Sequence, residues 1–132
     1  MSNVSPAAIV EHLSPLPFGL TLERLDHAIM DHGMMIFARI DHAANAKAVG
    51  LSMPPATVLI YGKAEGGTPV MLVAPNAALD LPLHVLVRED RPGRTLVCFH
   101  PVAPQLEALG VEAAIAARLQ PAQALLVQAL EA

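Results

Sequence analysis

The clearest periodicity in the chain runs from Leu83 to Arg88, where Leu83, Val85 and Val87 alternate with His84, Leu86 and Arg88. A period of two predicts a strand with one buried face. Asp90-Arg91-Pro92-Gly93 then supplies turn residues and Thr95 to Phe99 a second strand, which predicts a hairpin. A helical period precedes it: Leu22, Leu25 and Ile29 fall on one stripe, with Thr21 placed to cap the helix and Gly33 placed just past its last turn. Met35 to Ile40 is apolar on both faces and predicts a central strand. Asp41 stands where a carboxylate can accept the free N–H groups of a short helix from about His42 to Val49, stopped by Gly50.

Beyond it, Ala56 to Tyr61 is β-rich, lacks alternation and ends at Gly62, which predicts a strand buried on both sides. Lys63 to Gly67 reads as a loop. Thr68 then caps a short helix with Pro69 at its first position and Val70 to Ala74 as its body. Pro75 ends that helix, and Asn76 to Leu81 reads as a bend. At the start, Ala7 to Leu13 predicts a first strand with Ile9 and Leu13 on one face. After His100 and Pro101 the β-branched runs give way to Ala, Leu and Gln, predicting helices over about Gln105–Leu109, Val111–Leu119 and Ala122–Leu130, broken by Gly110 and Pro121.

Such a series suits one α+β domain over residues 1–132, with a core at 21–101 and a helical segment at 105–131. Composition changes that picture in one respect. Apolar residues make up 54% of the chain and charged ones 15%, more apolar surface than one small core readily hides, so a symmetric homodimer is expected. A net charge of −4 and few aromatics speak against a nucleic-acid partner. The longest uncharged stretches, such as Gly66 to Leu79, fall short of the ~18–20 apolar residues of a bilayer span, and no basic segment followed by an apolar run opens the chain. No membrane contact is therefore expected, and the cytoplasm is the expected address. The lone Cys98 reads as a small core residue against the alternative of a reactive thiol.

Candidate chemistry gathers in three places. Gly66-Gly67-Thr68-Pro69 would open a helix, whose unpaired N–H groups and dipole suit an anion, with Lys63 adding charge; a small carboxylate or phosphate could sit there. The competing reading is a loop tied by its own Thr68 cap. Asp41, His42, Asp80 and His84 form the second group, two carboxylates and two imidazoles able to serve cofactor-free general acid–base catalysis. Against that, Asp41 is explained as a cap and Asp80 as an acceptor for N–H groups at a bend. Haem or metal through His42, His84 or Met71 is the third reading, and it lacks a spaced ligand set, so no cofactor is expected. His27 and His32, five residues apart, diverge around the helix and read as solvated.

Four spaced motifs, in one order, resemble a family. They are Phe37-Ala38-Arg39-Ile40-Asp41-His42-Ala43-Ala44, Ala48-Val49-Gly50-Leu51, Gly67-Thr68-Pro69 with Met71, and Leu79-Asp80-Leu81-Pro82-Leu83. Over about Thr21 to Pro101 the chain is similar to a widespread, mainly prokaryotic family catalogued as domain of unknown function 302. The resemblance implies a two-layer α+β fold, an antiparallel sheet of about four to five strands with helices on one face, related to the TATA-box-binding-protein-like architecture, and homodimers. It implies no agreed activity, and the architecture by itself imports no DNA binding. The family usually carries Asn-Pro after the glycine at the strand end, where this chain has Lys63-Ala64, and Tyr-Asn-Asp-Pro after the hairpin, where it has Phe99-His100-Pro101.

Together these observations predict a small-molecule-binding or interaction module with a cleft between Gly62–Thr68 and Asp80–His84. Its ligand-binding residues would be Lys63, Gly66, Gly67, Thr68, Asp80 and His84.

Overall fold

The structure, a computed structural model, describes residues 8–131. Five strands form one antiparallel sheet: β1 (Val10–Leu13), β2 (Met35–Asp41), β3 (Ala56–Gly62), β4 (Leu83–Arg91) and β5 (Arg94–Phe99), in the order β1-β5-β4-β3-β2. Helices α1 (Phe18–Asp31), α3 (Ala64–Val73), α4 (Val102–Ala108), α5 (Ala113–Ala116) and α6 (Pro121–Glu131) supply the second layer. A 3-10 turn, Pro75–Leu79, follows α3, and another, Ala117–Leu119, extends α5. The short α2 (His42–Ala48) buries none of its residues.

The alternation at Leu83, Val85 and Val87 decides where the core lies. All three are buried, and through the register they stand beside Tyr61, Leu59 and Thr57 of β3, with Val97 of β5 beside Val87. Onto that row pack Leu25 and Ile29 of α1, Leu106 of α4, and Leu126 and Leu130 of α6. The opposite row, Val58, Ile60, His84 and Leu86, belongs to the other face. Those apolar side chains are only half-buried.

Several predicted details hold, each for its stated reason. The hairpin forms, and Gly93 takes φ +82° at its tip, a conformation that costs a residue with a Cβ atom. Asp41 caps α2, its Oδ1 accepting from the N–H of Ala44 at 2.9 Å.

Others are corrected. The first predicted strand is shorter, starting at Val10, and Ala7 lies outside the described residues. Thr21 does not cap α1, which begins a turn earlier behind Pro17. The Thr21 side chain is buried within the helix, bonded to the Ser14 hydroxyl at 2.7 Å and donating to the Pro17 carbonyl at 3.0 Å, so its polarity is spent inside. β2 is an edge strand rather than a central one. Of its apolar residues, Ile36 packs against the core, Phe37 borders a pocket and Met35 is exposed. The predicted loop Lys63–Gly67 is largely the first turn of α3: Gly66 and Gly67 donate their N–H groups to the Lys63 carbonyl at 3.1 and 3.2 Å. Two glycines weaken a helix by about 1 kcal/mol each relative to alanine. A Cβ at Gly66 would meet the Leu119 side chain at 3.4 Å, an ordinary contact, so α3 lies against Leu119 here without packing that demands a glycine.

Candidate pocket at the end of the sheet

Where β3 leaves the sheet at Gly62 and β4 enters it at Leu83, the strands stop while the helical layer continues, and a pocket of about 600 Å³ opens between them. Its floor is core: Met34, Tyr61, Leu83 and Leu119 are all buried. One wall is α3 with Gly66, Gly67, Thr68 and Met71, and facing it are Leu81 and Pro82. The far wall comes from Arg118, Pro121, Ala122 and Leu125 on the last two helical elements, and Phe37 of β2 closes the edge. A register shift between Ile36 and Ala38 singles out Phe37. Such a bulge re-aims a side chain, and here it accounts for an apolar residue at the edge of β2.

The cleft expected between the glycine-threonine segment and the Asp80 corner does form in outline. Gly67 comes close enough to Leu81 that an added Cβ would lie 3.8 Å from its Cδ1. Lys63, Gly66, Gly67 and Thr68 all border the pocket, whereas Asp80 and His84 do not line it. Asp80 ends the 3-10 turn through its backbone N–H on the Ala77 carbonyl at 3.0 Å, and exposed His84, opposite Ile60, sits on the sheet face turned away from Tyr61 and Leu83. The anion cradle proposed for Gly66 and Gly67 fails on its own terms, because their N–H groups are already donated to Lys63. Thr68 is not a cap either; it lies inside α3.

The four residues of the acid–base reading do not assemble. Asp41 is paired with Thr57, and His84 with Ile60, three residues further along β3 and on its other side. Strand rise and spacing put them roughly 14 Å apart. His42 goes with Asp41 at one end of the sheet and Asp80 with His84 towards the other. Among the described residues no three of His, Cys, Asp and Glu come together as a metal set. Of the residues considered for haem, Met71 borders the pocket while His42 and His84 stand outside it.

The electrostatics of the pocket are one-sided. Lys63, Arg118 and His32 border it, and among the described residues no carboxylate does. His32 Nδ1 lies 2.8 Å from the Ala28 carbonyl, which fixes the ring to the end of α1. Tyr61 donates its hydroxyl proton to the Ala122 carbonyl at 2.8 Å, tying the floor to α6, and burial pushes its phenol well above the ordinary range. On the opposite sheet face Cys98 lies beneath the ion pair of Arg88 and Glu11 at 3.0 Å. Burial raises its thiol against the lowering influence of Arg88, so it is a protonated packing residue. Sequence reasoning missed Arg118, Phe37 and Leu125. The register shift and the return of α6 are three-dimensional facts; only the apolar excess of β2 hinted at them.

Fold and pocket together define an α+β domain with a helix-backed antiparallel sheet and an apolar cavity at one end of its central strands. The chain belongs to the family described as domain of unknown function DUF302, which it matches over residues 10–132. Its fold is also that of an uncharacterised conserved DUF302 protein from Bacillus stearothermophilus, known from a crystal structure. The two align with a TM-score of 0.79 at 14% identity, covering 93% of this chain and 95% of that one. Among curated proteins it is 31% identical over 118 residues to the fluoride-specific ion channel FluC 1 of Brucella suis biovar 1 and to FluC 1 of Brucella abortus biovar 1. The alignments cover 88% of this chain but only 46% and 44% of those proteins, so the chain spans less than half the length of the curated relatives it matches. No helix among the described residues is long and apolar enough to cross a membrane.

Proposed function

We propose that this chain is a small-molecule-binding module whose ligand occupies the pocket between Gly62, α3 and α6. The supporting observation is a cavity of about 600 Å³ with a floor of buried core residues, inside the ~300–1,000 Å³ range of ligand sites. A thermal-shift screen of metabolites tests it. A ligand at ten times its Kd contributes about 1.4 kcal/mol and raises Tm by roughly 5 °C in a chain of this size. At least one compound is expected to do so in the native protein and not in a folded Leu125→Trp variant, whose indole fills the cavity. A screen in which nothing shifts the native protein removes the proposal.

The expected homodimer belongs to the same reading. Its support is apolar surface: Leu13, Leu51, Leu72 and Leu79 are exposed, and Val58, Ile60 and Leu86 line a sheet face that is only half-buried. Light scattering that returns a monomer at micromolar concentration overturns this part alone.

A second reading comes from the 31% identity to proteins named as fluoride channels. It casts the chain as an accessory module of a fluoride channel. Deleting the chain from its host would then lower fluoride tolerance, and unchanged tolerance disposes of the idea.

A further inference from the structure

We infer that the pocket selects an amphipathic anion: an apolar body laid against Met71, Leu81 and Leu125, with a single carboxylate or phosphate head held at the rim by Lys63 and Arg118. This rests on the pocket being a ligand site and adds the chemistry of the ligand. Charge left without a carboxylate partner supports it. The chain carries −4 net, with eight Lys and Arg against twelve Asp and Glu, so a place where two cations gather with no carboxylate among the described residues stands out. Arg39, Arg88 and Arg94 pair with Asp26, Glu11 and Asp90, and Arg24 donates to the Ala129 carbonyl. Among the described residues five of the eight, Arg24, Lys47, Lys63, Arg91 and Arg118, stand outside any ion pair, and two of these, Lys63 and Arg118, border the same cavity.

Position strengthens the point. Lys63 precedes α3 and Arg118 lies in the 3-10 turn after α5, far apart in sequence and brought to one opening by the packing of Gly66 on Leu119. The interior beneath them offers little to a polar body, because the Tyr61 hydroxyl is already committed to Ala122. A neutral polar ligand would lose hydrogen bonds to water there and gain few, whereas an apolar body with a charged end loses none. A guanidinium also binds a carboxylate or phosphate through paired N–H donors, which a water-filled rim cannot match in direction.

The test is calorimetric titration of the native protein with octanoate, octyl phosphate and octanol, repeated on Lys63→Gln and Arg118→Gln. Octanoate is expected to bind roughly tenfold tighter than octanol, with each substitution removing about threefold of that preference and leaving octanol unaffected. Raising the salt concentration narrows the same gap. A preference for octyl phosphate over octanoate upholds the anionic head and assigns it to a phosphate. Octanol binding as tightly as octanoate overturns the inference while the pocket reading stands. So does an octanoate preference that survives both substitutions, since the head would then lie elsewhere. If neither octanoate, octyl phosphate nor octanol binds, this inference falls, and the thermal-shift screen alone decides whether the pocket is a ligand site.

Discussion

Two hollows of similar size lie at opposite ends of the β2–β3 pair, about 600 Å³ beside Gly62 and about 540 Å³ beside Asp41 and Pro55. Volume does not separate them; the floor does. The first reaches four buried residues, whereas the second is bounded by Phe18, the exposed face of α2 and the segment from Leu51 to Pro55, none of them buried. Their charges differ in the same sense. Asp41 and Lys47 both border the second hollow, so it offers a ligand no net sign, while among the described residues the first is bordered by Lys63 and Arg118 and by no carboxylate. A cavity cut into a core keeps its shape because its lining is already fixed by packing; a gap beside a surface helix has only that helix to define it.

The contrast is most open to attack through the floor. Tyr61→Ala is expected to cost about 3–5 kcal/mol by denaturant unfolding, whereas Leu51→Ala, at a side chain 66% exposed, should stay within about 0.5 kcal/mol. Comparable losses at the two positions would erase the distinction between the ends. A smaller effect follows from the raised Tyr61 phenol. The folded state holds that proton more tightly than the unfolded chain, so the associated stability is complete below the unfolded pKa of ~10 and is lost as pH climbs above it. One pH unit higher the loss is about 1.4 kcal/mol, absent in Tyr61→Phe. Because the chain has one tyrosine and no tryptophan, phenolate absorbance should stay silent until unfolding begins.

At the other end, Asp41→Ala removes the cap on Ala44 and is expected to cost about 1 kcal/mol. Amide exchange should quicken in α2 and stay unchanged in α6; equal acceleration in both would mean that the ends are coupled. The smallest effect lies on the open sheet face. Glu11→Gln loses a half-exposed ion pair worth a few tenths of a kcal/mol. Cys98 alkylation in the native protein should be slower than that of a free thiol at neutral pH and should rise with pH, because burial holds the thiol protonated.

The sequence was legible where a local pattern had a local cause. The period of two in β4, the turn at Gly93 and the Asp41 cap each depend on a few neighbouring residues, and each was readable. Where a residue answers to a distant one, the reading failed. Thr21 looks like a cap until Ser14 is seen beside it. The pocket was half legible for the same reason. Its near wall, Lys63 to Thr68, is contiguous and could be named in advance; its far wall, Arg118 to Leu125, arrives from another part of the chain. Asp80 and His84 were adjacent in sequence to the right strand end, yet the alternation along β4 turns His84 away from it.

That far wall is fastened at several points: Tyr61 holds the Ala122 carbonyl, Arg24 holds that of Ala129, and the Gln123 side chain accepts from Val102 N–H at 3.0 Å while donating to the His100 carbonyl at 2.8 Å. Because α6 follows every other described element of the domain, a nascent chain on the ribosome cannot close this end of the pocket until that segment emerges and docks. Until then Tyr61 and Arg24 have no carbonyl to hold, so the cavity is a property of the finished molecule and not of the half-made one.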